Sequence, residues 1–148
     1  MQRSPAAELT RALPGGKSGI IIPTLWAHLG DAKGRWKSFR HLQAHAGTTP
    51  ITDQSGKHKA VLYRFACNKR MRYAVHWLAQ ISLGRSVWAR EYYDRQRERG
   101  HKHNEALRAL GAKWLKIIFI MWRDQVPYNE DYHLANLYRQ QLKQPVLA

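Results

Sequence analysis

Cysteine is almost missing from this chain. Cys67 is the single one, so an intrachain disulfide and a cysteine-rich zinc site are both excluded. One unpaired thiol suits a reducing cytoplasm. Long apolar runs are missing too. The most apolar stretch runs from Trp114 to Trp122, with Lys113, Lys116 and Arg123 in or beside it. A helix needs ~20 apolar residues to cross a bilayer, so this stretch is expected as a buried helix in a chain without a membrane partner. The start, Met1-Gln2-Arg3-Ser4-Pro5, leads into no apolar core, and no secretory leader is expected.

Acidic residues are scarce. Asp and Glu together number 10, scattered from Glu8 to Asp131 and mostly set among arginines. A metal-dependent nuclease needs several carboxylates converging on one or two magnesium ions, and no such set is legible. The eight histidines do not replace it. His101 and His103 stand two apart, and His41 and His45 share a helical face. No carboxylate motif accompanies them, so a zinc-hydrolase signature is absent. The chain is expected to carry no metal and no cofactor of its own.

What is abundant is positive charge. Lys and Arg number 25, the net charge is +15 and the isoelectric point is near 10.5. At 148 residues the chain fits one domain with a real core. So large an excess calls for a polyanion, and nucleic acid is the commonest, although a membrane surface or an acidic protein satisfies the same charge.

Along the chain, residues 1–11 read as a lead-in, and Leu13-Pro14-Gly15-Gly16-Lys17-Ser18-Gly19 forms a turn-rich knot before the apolar run Ile20 to Leu29. Gly16-Lys17-Ser18 is not a nucleotide-binding loop, because Arg11 stands where the first glycine belongs and no strand precedes it. A helix-hairpin-helix element fits better. Its turn would offer the backbone N–H groups of Gly15 and Gly16 to a phosphate. An ordinary glycine-rich turn fits the same residues equally well.

Ser38 precedes a short helix from Phe39 to Ala46 that Gly47 closes. From Thr48 to Phe65 the pattern is extended, with Ala60 to Phe65 readable as a short strand and Ser55-Gly56-Lys57 as a loop. Four helices are expected beyond it: Lys69 to Leu83 capped by Asn68, Val87 to Arg99 capped by Ser86, His103 or Asn104 to about Arg123, and Tyr128 to Lys143. The fold class is therefore mainly α: a helix-hairpin-helix-like start, a short extended serine loop, then a bundle of about four helices.

Ser55 is the one nucleophile in a suggestive setting, with Lys57, His58, Lys59 and Arg64 close behind it. A serine hydroxyl can attack a phosphodiester if a base takes its proton and cations stabilise the developing charge. By itself Ser-Gly in a loop is more often a turn residue. Lys69, Arg70, Arg72, Arg85 and Arg90 mark candidate phosphate contacts. Trp36, Trp77 and Trp88 are candidates for stacking on unpaired bases. Tryptophan at helical spacing is more often core, and Trp114 and Trp122 are assigned there.

The string of motifs says more than the chemistry of any one. Ala46-Gly47-Thr48-Thr49-Pro50, Ser55-Gly56-Lys57 and Arg64-Phe65-Ala66-Cys67-Asn68-Lys69-Arg70-Met71-Arg72 follow one another. Ser86-Val87-Trp88-Ala89, Arg97-Glu98-Arg99-Gly100, Met121-Trp122 and Pro127-Tyr128 come after them. In this order they resemble the C-terminal domain of the IS-one-ten family of insertion-sequence transposases, over about residues 12 to 138. The resemblance implies residues 12–143 as that domain and 144–148 as a tail. It implies Ser55 as the nucleophile of a covalent DNA intermediate. It further implies DNA and a structured guide RNA as partners, a homo-oligomer, and a bacterial cytoplasmic, nucleoid-associated setting. The family's RuvC-like domain, whose acidic tetrad holds magnesium, has no counterpart in this chain. The isolated chain is therefore expected to bind nucleic acid without cutting it. The competing reading is a remnant that only binds, with a vestigial serine.

Overall fold

The structure is a computed structural model. It describes residues 9–15, 21–29, 36–48, 50–55, 58–63 and 68–143, with the backbone alone over 50–55, 58–63 and 140–141. Most of the expected lead-in and the whole tail 144–148 lie outside the described residues. Leu9 and Thr10 are helical and buried, and the Tyr128 N–H donates to the Leu9 carbonyl at 3.3 Å, so the fold begins ahead of residue 12.

The described elements are α1 (Ile21–Leu29), α2 (Phe39–His45), β1 (Pro50–Ser55), β2 (His58–Tyr63), α3 (Lys69–Ser82), α4 (Val87–Glu98), α5 (His103–Asp124) and α6 (Glu130–Lys143). The molecule is mainly helical. The stretch expected as an extended loop is an antiparallel hairpin, with Ser55 opposite His58 and Pro50 opposite Tyr63. Pairing of the two segments satisfies their backbone groups, which a single extended strand could not do. Among the described residues the two strands pack chiefly on each other and no helix packs broadly against them.

The 22-residue α5 is the central helix, packed against α3, α2 and α4, while α1 lies on α3 and α6 on α4. Its inner face carries Leu107, Leu110, Trp114, Leu115 and Ile118, all almost fully buried. These positions recur at three and four residues, the spacing that keeps side chains on one helical face. Leu78 and Met71 of α3 and Leu42 of α2, none of them exposed, meet them from the other side. Gly111 permits the close crossing of α5 and α3. A Cβ built there would lie 2.7 Å from Val75 Cγ1, closer than packed atoms approach.

The buried polar groups around Trp114 are paired. Trp114 Nε1 donates to Ser82 Oγ at 3.0 Å, and that hydroxyl donates onward to the Ala79 carbonyl at 2.7 Å. Helix ends partly follow local expectation. Asn68 Oδ1 accepts from the Met71 N–H at 3.0 Å and caps α3. Ser38 meets the His41 ring at 3.3 Å rather than a backbone N–H. Ser86 makes no side-chain cap either. Glu130, at the start of α6, takes over, accepting from Ser86 Oγ at 2.9 Å and from the Val87 N–H at 3.1 Å. The Tyr128 hydroxyl donates to the same carboxylate and accepts from Trp88 Nε1 at 2.8 Å. Burial, reinforced by the Glu130 carboxylate, pushes the Tyr128 phenol well above its ordinary pKa, so it stays a donor.

One carboxylate thus joins the starts of two helices and a buried phenol. Glu130→Ala is expected to lower unfolding stability by about 1–3 kcal/mol, because it strands the Ser86 and Tyr128 hydroxyls. Urea unfolding reads this directly. A loss below about 0.5 kcal/mol, the size of an ordinary surface change, would show that the cap contributes nothing.

Candidate nucleic-acid interface

α3 begins with Lys69, Arg70 and Arg72 and has no acid in its first turn. The N-terminal end of a helix is itself positive, so each of these cations is placed where it is unfavourable by a few tenths of a kcal/mol or more. Such an arrangement holds an anion better than it holds itself. Lys69, Arg72, Tyr73 and His76 recur at i, i+3, i+4 and i+7, and therefore share one face. Opposite them α5 presents Asn104, Leu107 and Arg108. Together with Val75 and Thr48 these side chains line an open groove of about 440 Å³. Among the described residues no carboxylate lines it.

The histidine in the groove reports its field. His76 titrates below the ordinary histidine range, first because of burial and then because His103, Arg108 and Arg72 oppose a further positive charge. At neutral pH it is the neutral imidazole. A depressed histidine binds fewer protons folded than unfolded. Its contribution to stability is therefore present above the ordinary histidine pKa and is lost as pH falls through the lower folded value.

The hairpin is mounted at this groove. On its entering side, the Thr48 N–H and hydroxyl both donate to the Gln43 carbonyl at 3.0 Å, and Gln43 Nε2 donates to the Ala112 carbonyl of α5 at 2.7 Å. On its leaving side, the Asn68 N–H donates to the His45 carbonyl at 2.8 Å. Thr48 is buried and the two chain ends are tied to α2, which Gln43 in turn ties to α5. Ser55 ends β1, five residues beyond Pro50, about 17 Å along an extended strand.

The candidate residues therefore divide. Lys69 and Arg72 line the groove, and Arg70 is exposed in the same helical turn. Lys57, Arg64 and Gly16 lie outside the described residues. Arg85 is elsewhere: with Arg11, Pro14, Tyr128 and Glu130 it lines a separate hollow of about 210 Å³ beside the Leu-Pro-Gly turn. Gly15 makes that turn with φ +75° and is buried against Ile81 and Ile21, so its close packing is clear. Arg90 is paired on the surface of α4, with Asp94 at 3.4 Å and its guanidinium 5.6 Å from the Tyr93 ring.

The tryptophans divide as well. Trp88 is a core residue, its ring 4.6 Å from that of Trp114, and is corrected from the stacking candidates. Trp36 is half-buried, donates to the Leu29 carbonyl at 3.2 Å and packs on His45. Trp114 and Trp122 are core, as expected. Trp77 alone of the three stacking candidates is exposed. Arg108, His76 and Asn104 were missed as groove residues. The four-residue spacing of Asn104 and Arg108, and of Arg72 and His76, was legible, but which helix would face which was not.

Among the described residues no three His, Cys, Asp or Glu side chains converge as a metal would require. The described residues do not fit a magnesium centre. Among the described residues no helix is long and apolar enough to cross a membrane.

The described helices thus tie the two ends of a hairpin beside a groove lined by Lys69, Arg72 and Arg108. Residues 8–94 match the model of the IS116/IS110/IS902 family of transposases, and the chain belongs to that family. It is 37% identical over 109 residues to the mini-circle putative transposase for IS117 of Streptomyces coelicolor, covering 74% of this chain and 26% of that protein. It is 34% identical over 133 residues to the insertion element IS110 uncharacterized 43.6 kDa protein of the same organism, covering 86% of this chain and 31% of the relative. It is also 30% identical over 131 residues to the pilin gene-inverting protein of Moraxella bovis, covering 86% of this chain and 40% of that protein. The chain thus spans well under half the length of these relatives.

Proposed function

We propose that this chain is the DNA-binding, serine-bearing C-terminal part of a transposase, in which the groove holds the phosphate backbone and the hairpin carries Ser55 to the scissile strand. The observation that carries the proposal is the mounting of the Ser55 hairpin, whose two ends are tied at the mouth of a groove lined by Lys69, Arg72 and Arg108. Family membership supports the same reading.

The chemistry is phosphoryl transfer. The Ser55 hydroxyl attacks a DNA phosphodiester, a serine–phosphate bond forms and the bond to one deoxyribose oxygen breaks. The serine proton passes to a base and the departing oxygen takes up a proton. His58, opposite Ser55 in the hairpin register, is a base of the right kind, because imidazole changes charge nearest neutral pH. Attack by a deoxyribose hydroxyl on the phosphoserine restores the serine and joins a new strand. No net bond energy is consumed. Magnesium, a RuvC-like acidic domain, a guide RNA and assembly with further copies belong to the same proposal. They rest on the family resemblance, and none of the steps above passes through them.

The groove is tested by the salt dependence of duplex binding. Replacing both Lys69 and Arg72 by alanine is expected to weaken binding at low salt and to reduce the slope of log K against log salt by about 2, roughly one for each phosphate contact. Arg90→Ala, which removes a paired surface cation, is the control. An unchanged slope in the double variant would place the phosphate backbone elsewhere.

A further inference from the structure

Two large rings stand in water at the edge of the groove. Tyr73 is 60% exposed and Trp77 is 41% exposed, with their centroids 6.0 Å apart and their planes at 69°. The His76 ring lies 5.8 Å from Trp77. All three sit on consecutive turns of α3, and Tyr73 and His76 also line the groove. Elsewhere the tryptophans at 88, 114 and 122 are buried in the core. An exposed indole beside an exposed phenol leaves two apolar faces wet, and no core requirement accounts for the pair.

The surroundings select what would cover them. Lys69 and Arg72 precede the rings on α3, Arg108 lines the groove from α5, and among the described residues no carboxylate lines it. Aromatic faces beside a row of cations match one chemistry well, a planar base joined to a phosphate. In a duplex the base faces are already stacked on each other. Only an unpaired base offers a free face to a ring on a helix surface.

We infer that Tyr73 and Trp77 form a stacking platform for an unpaired nucleobase whose flanking phosphates lie on Lys69, Arg72 and Arg108. The inference rests on the groove proposed above and deepens it: the groove takes a single-stranded segment as well as duplex backbone. The unpaired base belongs to a melted DNA strand or to an RNA strand, since both present the same face and the same phosphate.

The test is fluorescence anisotropy of the full chain with three labelled probes of equal length: an unstructured DNA oligonucleotide, the same sequence as RNA, and its DNA duplex. Trp77→Ala is expected to weaken binding of the DNA strand, the RNA strand or both by about tenfold, the scale of one lost base–aromatic stack. Duplex binding should be retained. Trp77→Phe should recover most of the loss, which a purely structural defect would not allow, and circular dichroism of both variants checks the fold. The strand that loses most identifies the source of the base. Equal losses on single strand and duplex, or no loss on either single strand, would overturn the platform while leaving the groove standing. Failure of the unaltered chain to bind any of the three probes would overturn groove and platform together.

Discussion

Ser55→Ala is expected to abolish covalent attachment to DNA while leaving DNA affinity unchanged. The measurement supplies in trans the acidic domain proposed above for the full-length transposase and looks for protein–DNA adducts that survive denaturant. Removing a nucleophile from an assembled site typically costs four or more orders of magnitude in rate, so the band should vanish rather than fade. Affinity should be retained because Ser55 lies at the far end of β1 from the hairpin ends tied beside the groove. His58→Ala should slow the same step less severely, by about 10²–10⁴-fold for a general base. Adducts that persist in Ser55→Ala would show that another group attacks. An unaltered chain that binds the supplied domain and DNA yet forms no adduct would favour the plain binding module.

Trp114→Ala is expected to be the most destabilising single change in the core, by about 3–5 kcal/mol. Trp114 is fully buried on the central helix, in ring contact with Trp88 and Tyr128, and its indole N–H bonds the buried Ser82 hydroxyl. Deleting it empties the centre of the helix packing and leaves Ser82 with one partner fewer. Against a total of ~5–15 kcal/mol for a domain, such a loss brings the chain close to unfolding. Urea unfolding of Trp114→Ala beside Trp77→Ala gives the contrast, since Trp77 is exposed and should change stability by no more than about 0.5 kcal/mol. A Trp114→Ala loss of under about 1 kcal/mol would mean that the packing around it is loose.

Much of the fold follows from spacing. The helices from Lys69, Val87 and His103 were legible because apolar residues recur at three and four positions and because Asn68, Gly100 and Pro127 punctuate them. The ends drifted by a residue or two, as at Ser82 and Glu98. Ser86 shows why local signals have a limit. It occupies a capping position, yet its hydroxyl points to Glu130, 44 residues away, which caps the helix in its place. No local rule can anticipate a partner that arrives from another helix.

The site divides along the same line. Charge, the serine and the cations of α3 are readable in order along the chain, because each is a property of residue type and spacing. Arg85 and Lys69 look equivalent in that order. Only the packing separates them, one beside the Leu-Pro-Gly turn and the other in the groove. By itself the sequence determined a mainly helical, strongly basic chain with an extended segment around Ser55 between helical ones, since composition and periodicity act locally. The tertiary structure alone decided that α5 crosses α3 at Gly111, bringing Arg108 to face Arg72 and His76. Long-range packing, which no local pattern encodes, sets which helical faces meet, and the groove exists only where they do.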